Sequence, residues 1–345
     1  MFRGKQVLIS QRRPLGSLCK VLVLPTLLVF GTLLVLGARQ TYTVDRDFET
    51  FVSDFQKKYS SNEEFKHRQA IFIENKAKIT AFNAENQDFS LGINQFSDQT
   101  EEELYKSPFP QLTLAPQINR TPPTAANPPT ALDWAKEGVV TEVKNERNCA
   151  TSWIFAPIAA AESLFAIENL KEKLLYEFSE QQVFDCCPVN LIPCMEGQPG
   201  DAFHCMMGGL ALEAAYPYEA VRGLCHDFNF TYAVGGSVPV PSTYEALIQA
   251  LVEHPLVVSI DASSLQFRQY SSGVFTSSTC STTVPNHSLL LVGFNTTSNP
   301  PYYKLKNSWG PAWGEEGYVR LAMDKQDGPG MCGVQANVLD PLIAT

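Results

Sequence analysis

The chain has 345 residues, of which 44% are hydrophobic, and it carries 26 Lys and Arg against 36 Asp and Glu. This composition is sufficient for a large buried core, and the length predicts about two domains. The charge is uneven, because residues 1–20 contain five basic groups and no acid, whereas residues 126–345 contain 11 basic and 23 acidic groups. Nucleic-acid binding requires a basic surface, so the acidic C-terminal region excludes nucleic acid as a partner.

An uncharged run, residues 21–38, follows the basic leader at residues 1–20. A helix rises about 1.5 Å per residue, so a run of this length just reaches across the hydrocarbon core of a bilayer. Basic residues beside a membrane span stay in the cytosol, which favours a single-pass signal anchor with a lumenal or extracellular body. A signal peptide cleaved close to Ala38, giving a secreted protein, is the alternative. Both predict the secretory pathway, and an anchored acidic body fits an endosomal or lysosome-like membrane.

Residues 41–105 are rich in charge, and their hydrophobic residues recur at helical spacing. Six residues at steps of three and four share one helix face: Glu64, Arg68, Phe72, Asn75, Ile79 and Asn83. This pattern resembles the signature helix of cathepsin L-type propeptides. Residues 92–98, Gly-Ile-Asn-Gln-Phe-Ser-Asp, resemble the Gly-x-Asn-x-Phe-x-Asp motif of the same propeptides. The resemblance implies an inhibitor segment that lies backwards through the cleft of its own protease domain.

A proline-rich linker, residues 106–129, separates this segment from the body at residues 130–345. The body begins with a helical half, in which residues 153–175 form an apolar-periodic helix with Ser152 at its N-cap. After about residue 230, short β-type runs are separated by Gly, Pro, Asn and Ser. This α+β succession resembles the papain-like two-lobed fold, with a helical left lobe, an antiparallel β-barrel-like right lobe and a cleft between them. The inhibitory propeptide precedes it.

The nucleophile motif is Asn-Cys-Ala-Thr-Ser-Trp at residues 148–153. It resembles the Cys-Gly-(Ser/Ala)-Cys-(Trp/Tyr) motif of papain and the cathepsins, in which a His and an Asn follow about 130–150 residues later. The first Cys and the Trp match, but Ser152 occupies the position of the second Cys. The resemblance implies that Ser152 is the nucleophile, His287 the general base and Asn307 the residue that orients the His.

Two replacements disfavour the family's chemistry. The family uses a thiolate–imidazolium pair, because a thiol with a pKa of about 8.5 ionises readily, above all at a helix N-terminus. The hydroxyl of Ser152 does not ionise and needs a base to remove its proton during attack. The family also has Gln six residues before the nucleophile, where its amide donates to the oxyanion, and this sequence has Glu146. A carboxylate only accepts hydrogen bonds, and losing one oxyanion donor costs on the order of 10²–10³ in rate.

The substrate-binding rim is implied by resemblance alone. Gly197 matches the glycine that pairs with substrate backbone like an added strand, and Glu196 replaces a second glycine beside it. Gln198, Pro199 and Asn337 would line the pocket that sets specificity in cathepsin L. Trp309 matches the tryptophan that shields the Asn–His contact.

The cysteines are expected to form disulfides, since a secretory chain meets oxidising conditions. The resemblance pairs Cys149 with Cys194, Cys186 with Cys225, and Cys280 with Cys332. Cys187 and Cys205 remain, and a fourth disulfide between them is open. The usual Cys-x2–4-Cys spacing of zinc sites does not occur, so neither a metal nor a cofactor is predicted.

Four Asn-x-Ser/Thr sequons begin at Asn119, Asn229, Asn286 and Asn295. Asn286 adjoins His287 in the chain, and we expect it to stay unmodified. The other three predict a glycoprotein.

The predicted function is that of a papain-family peptidase homologue, a pseudoprotease that retains a cleft for a peptide or protein ligand, with its own propeptide as intramolecular inhibitor. One alternative is an active peptide-bond hydrolase that uses Ser152, His287 and Asn307. Another is a silica-condensing protein similar to silicatein, which the Ser/Thr-rich run at residues 271–283 favours.

Overall fold

The computed structural model describes residues 46–85, 88–105, 127–188, 194–195 and 197–344. The chain divides into two compact units after Lys58. The predicted leader, the predicted membrane span at residues 21–38 and most of the predicted linker lie outside the described residues. Within the described ranges, no helix is both long enough and apolar enough to cross a membrane.

The first unit contributes one described helix, α1, at residues 46–54. On it, the rings of Phe48 and Phe51 stack with centroids 5.8 Å apart.

The inhibitor segment of the second unit contains a long helix, a short strand and a short helix. These are α2 (Asn62–Glu85), β1 (Phe89–Leu91) and α3 (Glu101–Tyr105). Phe72, Asn75 and Ile79 of the predicted face are buried. The polar members of that face bind the chain that follows: Asn75 Nδ2 donates to the Ser97 carbonyl at 3.0 Å, and Asn83 exchanges two hydrogen bonds of 2.8 Å with the backbone of Leu91. Polar side chains of the predicted helix face therefore hold the residues that follow α2 against that helix.

The left lobe of the body is built around α4 (Ser152–Glu168), which is buried over its first 15 residues. Two shorter helices pack with it, α5 (Glu180–Cys186) and α6 (Pro199–Met206). The expectation that Ser152 is the N-cap is wrong, because Thr151 is the N-cap and Ser152 is the first helical residue. The helix also ends earlier than residue 175, at Glu168, because the side chain of the C-cap residue Asn169 donates to the Phe165 carbonyl and so competes with further helix formation.

The right lobe contains eight strands of the body: β2 (Ala131–Asp133), β3 (Val234–Pro239), β4 (Leu256–Ile260), β5 (Tyr270–Phe275), β6 (His287–Asn295), β7 (Tyr302–Lys306), β8 (Tyr318–Ala322) and β9 (Val338–Ile343). With β1 they form one sheet in the order β1-β5-β8-β7-β6-β4-β9-β3, and β2 pairs with β6. Short helical elements lie between strands: α7 (Tyr244–Leu251), α8 (Leu265–Arg268) and a 3₁₀ turn (Met331–Gly333).

The expected antiparallel barrel does not close. Over the described residues the strand path is open, with β1 and β3 at its two ends, and β5 pairs with β8 in parallel. The β1 end is contributed by the inhibitor segment, where Phe89 lies opposite Gly273 of β5. A Cβ atom at Gly273 would lie 2.4 Å from the Asp88 carbonyl oxygen, so only glycine admits β1 at this distance.

Four disulfides tie the body together. They join Cys149 to Cys194, Cys186 to Cys225, Cys187 to Cys205 and Cys280 to Cys332. Three are the pairs that the resemblance implied, and the pair left open also forms a bond. The Cys187–Cys205 disulfide closes a short loop within the left lobe and links the end of α5 to α6.

Candidate active site

The two lobes meet where the first turn of α4 contacts the start of β6. Because β6 and β7 are antiparallel, the start of β6 lies beside the chain that leaves β7. His287 is the first residue of β6, and Asn307 comes directly after β7. The His287 Nε2 atom donates to Asn307 Oδ1 at 2.7 Å, and both side chains are buried. Sheet register therefore brings this pair together.

Ser152 lies at the opposite side of the same junction. Its Oγ atom accepts a hydrogen bond of 2.9 Å from the backbone N–H of Ser288, the residue after His287. Ser152 is fully buried. The three residues assigned by resemblance as nucleophile, base and orienting group thus come from α4, β6 and the end of β7.

Glu146 lies in the turn before α4, and its carboxylate is buried in the same place. Oε1 accepts a hydrogen bond of 2.7 Å from the indole Nε1 of Trp309, and Oε2 accepts one of 3.2 Å from the backbone N–H of Thr151. Oε1 also lies 4.0 Å from Nδ1 of His287. A negative group is favoured at this position because the N-terminus of a helix carries partial positive charge.

Trp309 covers the imidazole of His287. The two ring centroids are 4.5 Å apart with an interplanar angle of 30°, and Trp309 is itself buried. Trp309 also stacks with the guanidinium of Arg268 at 4.7 Å and meets the ring of Phe96 edge-on at 5.0 Å. Phe96 belongs to the inhibitor segment, so that segment reaches the cover of the site.

The inhibitor segment is held there by polar contacts as well. Asn94 Nδ2 donates to the Arg268 carbonyl at 2.7 Å, and Ser97 Oγ donates to Gln269 Oε1 at 3.0 Å. The Asn-Gln-Phe-Ser stretch of the propeptide motif therefore docks on the turn that joins α8 to β5.

The substrate-binding residues implied by the resemblance lie in two separate parts of the body, at the start of α6 and just before β9. Gly197 is buried, Gln198 is the N-cap of α6, and Pro199 is its first residue. Asn337 is half-buried, and its carbonyl accepts from the backbone N–H of Ser259. Glu196 lies outside the described residues, so the lining of the cleft stays a prediction.

The structure contains a cluster of buried charged residues beside the site that the sequence analysis did not predict. Lys144 Nζ donates to Glu162 at 2.8 Å and to Glu180 at 2.9 Å, while Lys306 Nζ donates to Thr141 Oγ1 at 2.9 Å. Burial raises the pKa of Glu180 to about 8, opposed by the charge of Lys144. Burial likewise lowers the pKa of Lys306 to about 8. An acid at position 162, inside an otherwise apolar helix, was the signal that could have revealed the cluster.

A cavity of about 20 Å³ lies between this cluster and the site, bordered by Lys306, Asn307, Ser308 and Ser288. This is enough room for one water molecule. Ser308 Oγ is buried, and no hydrogen-bond partner for it occurs among the described residues. A water in the cavity would satisfy it.

Tyr218 is a second residue that sequence reasoning missed. Its hydroxyl lies 2.7 Å from Thr151 Oγ1 and donates to the Glu146 carbonyl at 3.2 Å. Burial raises the pKa of this phenol, which stays neutral and holds the turn that carries Glu146. Across the residues that the structure describes, no group of three or more His, Cys, Asp or Glu is placed to bind a metal ion.

Comparison with known proteins places this geometry in a family. Residues 128–342 match the family described as "Papain family cysteine protease", and residues 48–104 match the "Cathepsin propeptide inhibitor domain (I29)". "Cysteine protease XCP2" of Arabidopsis thaliana is 34% identical over 303 residues, covering 83% of each chain. "Pro-cathepsin H" of Medicago truncatula is 36% identical over 310 residues, covering 86% of each.

Solved structures agree. The recombinant stem bromelain precursor superimposes with a TM-score of 0.79 at 32% identity, covering 88% of this chain and 100% of that one. Digestive procathepsin L 3 of Tenebrio molitor gives 0.78 at 30% identity, covering 87% and 99%. The chain therefore belongs to the papain family of cysteine proteases and carries that family's inhibitory propeptide domain.

Proposed function

We propose that this papain-family chain no longer turns over peptide bonds and keeps its cleft as a binding site for a peptide or protein. The observation that carries the proposal is a pair of residues, the first residue of α4 and an acid in the turn before that helix. Ser152 stands where the resemblance puts the thiol nucleophile, and the buried carboxylate of Glu146 stands where it puts the amide donor to the oxyanion.

The hydroxyl of Ser152 is a poor substitute for a thiol on this scaffold. A helix N-terminus and a neighbouring imidazole lower the pKa of a thiol into the physiological range, but a hydroxyl starts too high to ionise. Its oxygen also accepts the Ser288 N–H, so the group has a structural role that is independent of catalysis.

Glu146 works against the reaction in a second way. A tetrahedral intermediate needs hydrogen-bond donors around its oxyanion, whereas the oxygens of Glu146 accept from Trp309 and Thr151. The carboxylate would face the developing negative charge. Loss of the donor and addition of a like charge both raise the barrier.

The same argument leaves binding possible. His287, Asn307 and Trp309 keep the contacts expected of a family site, and the inhibitor segment lies on the body through its motif residues. The peptide-binding surface therefore has a structural scaffold that does not depend on the nucleophile.

We also propose delivery to the secretory pathway, with residues 21–38 as a membrane anchor. Four disulfides support folding in an oxidising compartment. Carbonate extraction of cells that express the full chain separates the alternatives. Retention of the body in the membrane pellet supports the anchor, and a soluble body whose N-terminus follows residue 38 supports a cleaved signal peptide.

A set of four proteins tests the loss of turnover. Wild type, Ser152→Ala, Ser152→Cys and Ser152→Cys with Glu146→Gln are cut in the linker at residues 106–129, freed of the inhibitor segment and assayed on dipeptide-linked fluorogenic substrates at acid pH. We expect no turnover by the first two proteins and turnover by the double variant. Wild-type hydrolysis that disappears in Ser152→Ala would overturn the proposal in favour of a serine-type hydrolase. Silica precipitation that depends on Ser152 would favour the silicatein-like alternative.

A further inference from the structure

We propose that an N-linked glycan on Asn229 covers an exposed apolar patch of the left lobe, formed by Phe230 and Met207. The inference goes beyond use of the sequon, because it gives the sugar chain a task on the folded body. It rests on the proposed delivery to the secretory pathway, where glycans are added, and it is independent of whether the chain turns over peptide bonds.

Phe230 lies on the surface of the body and not in its core. Its side chain is 69% exposed and rests on the backbone of Gly209, where a Cβ atom would lie 2.7 Å from the Cβ and Cγ atoms of Phe230. Only glycine therefore admits the side chain of Phe230 at this distance. Met207, two residues earlier in the same turn, is 51% exposed. Adjoining apolar side chains in contact with water mark a surface that something else covers.

The position of Phe230 is fixed by the backbone beside it. The N–H of Leu210 donates to the Tyr232 carbonyl at 2.7 Å, and the N–H of Thr231 donates to the Leu210 carbonyl at 2.7 Å. These two bonds tie the chain that carries Phe230 to the turn after α6. Exposure of the ring is thus a property of the folded lobe.

The residue beside Phe230 encodes a group that would cover it. Asn229, Phe230 and Thr231 form an Asn-x-Thr acceptor, and Asn229 and Thr231 are both exposed. On the other side of Asn229, Phe228 already packs edge-on against Tyr216, with ring centroids 6.3 Å apart. An N-glycan is bulky and solubilising. The C–H faces of its sugar rings are apolar, so contact with the ring of Phe230 removes apolar surface from water.

Other occupants suit the apolar patch less well. A protein partner or a second copy of this chain would have to dock one residue away from a bulky glycan. An anionic membrane surface attracts basic residues, but residues 126–345 contain 23 acidic and 11 basic groups. Asp227, two residues before Asn229, is also exposed. The sugar chain is the occupant that the local sequence favours.

Removal of the glycan from the folded protein tests the inference. Wild type and Phe230→Ser are made as full chains in a eukaryotic host; the substitution keeps an Asn-Ser-Thr acceptor. Both are treated with peptide N-glycosidase, and the fluorescence of the dye ANS, which reports exposed apolar surface, is measured before and after. We expect a rise of about twofold or more in wild type and a much smaller rise in Phe230→Ser. Equal rises in the two proteins would refute the cover, because the uncovered surface would then lie elsewhere.

A second pair of proteins needs no enzyme treatment. Asn229→Gln and Asn229→Gln with Phe230→Ser both lack a sugar at residue 229, so they differ only in the apolar ring. Sedimentation velocity should show stronger self-association of the single variant than of the double variant, and equal self-association would contradict the proposal.

Glycopeptide analysis separates failure of this inference from failure of the proposal on which it rests. Wild type that carries sugars at other sequons but none at Asn229 would overturn the glycan cover and leave secretory delivery intact. A chain without a glycan at any sequon would overturn both. Peptidase activity of the wild type would overturn the proposed loss of turnover alone.

Discussion

The side chain of Gln95 donates a hydrogen bond of 2.8 Å to the backbone carbonyl of Trp309. The inhibitor segment thus contacts Trp309, the residue whose indole ring covers the imidazole of His287. Phe96 packs edge-on against that indole, and Arg268 lies over both rings. Loss or retention of the segment therefore determines what lies over the candidate site.

We expect Phe96→Ala to weaken the hold of the inhibitor segment on the body. Truncation removes the ring contact with Trp309 and the cation–π contact with Arg268, with a cost of about 1–3 kcal/mol. After the linker is cut, the dissociation rate of the segment measured by surface plasmon resonance should rise by about tenfold or more. Ile73→Ala is the control, since Ile73 is on α2 and 40% exposed, and it should change the rate little. An unchanged rate in Phe96→Ala would show that the ring contacts of Phe96 do not help to hold the segment.

Ser152→Ala should destabilise the fold. The change leaves the buried N–H of Ser288 without the acceptor it has in the structure, and an unsatisfied buried donor costs about 1–3 kcal/mol. Urea unfolding followed by tryptophan fluorescence measures the effect. Ser163→Ala is the control on α4: Ser163 is also buried, but its Oγ donates to the Ala159 carbonyl, which keeps its helical backbone partner, so its cost should be smaller than that of Ser152→Ala. Equal stability of Ser152→Ala and wild type would remove the structural role assigned to this hydroxyl.

Stability of the body should fall as the pH rises from about 5 to 8. Burial raises the pKa of Glu180 from 4.5 to about 8, so the folded state binds more protons than the unfolded state across this range. The stability contributed by protonated Glu180 is fully present below pH 4.5 and is lost as the pH rises past about 8. Melting temperatures measured across this range should decline in wild type, and the decline should be smaller in Glu180→Gln. Parallel curves for the two proteins would contradict the raised pKa.

We expect glycosylation at the Asn229 sequon and none at the Asn286 sequon. Asn229 is exposed, whereas Asn286 is buried, donates to Asp261 Oδ1 at 2.7 Å and accepts from the backbone N–H of Ala262 at 2.8 Å. A glycan on Asn286 Nδ2 has no room at this buried position and would displace the side chain from these contacts. Glycopeptide mass spectrometry of the full chain purified from a eukaryotic host should find Asn229 occupied and Asn286 bare. Occupied Asn286 would mean that this turn is accessible before the body folds.

Residue spacing predicted the parts of the structure that depend on motif and register. The three- and four-residue steps of the inhibitor segment placed Phe72 and Asn75 on one face, because a helix fixes which residues are neighbours. The sequence pattern that resembles papain predicted His287 and Asn307, because that pattern contains both residues. The length and end of α4 were less accessible, since the side chain of Asn169 ends the helix through a local hydrogen bond.

Contacts between distant segments could not be predicted from the sequence. The proximity of Glu146 to His287 depends on the turn before α4 and on the rotamers that Trp309 and Thr151 hold in place. The open sheet is also a tertiary property, because strand spacing does not show whether the two end strands meet. The cluster of Lys144, Glu162 and Glu180 joins three segments and has no local signature beyond a charged residue in an apolar helix.

The pairing of β1 with β5 has a consequence for the life of the protein in the cell. Removal of the inhibitor segment would leave the backbone N–H and C=O groups of residues 270–273 without their partner strand on that side. A bare strand edge is a template for association between molecules. An active protease gains turnover by accepting this exposure, but a chain without turnover gains nothing from it. Retention of the segment would then serve as permanent protection against aggregation.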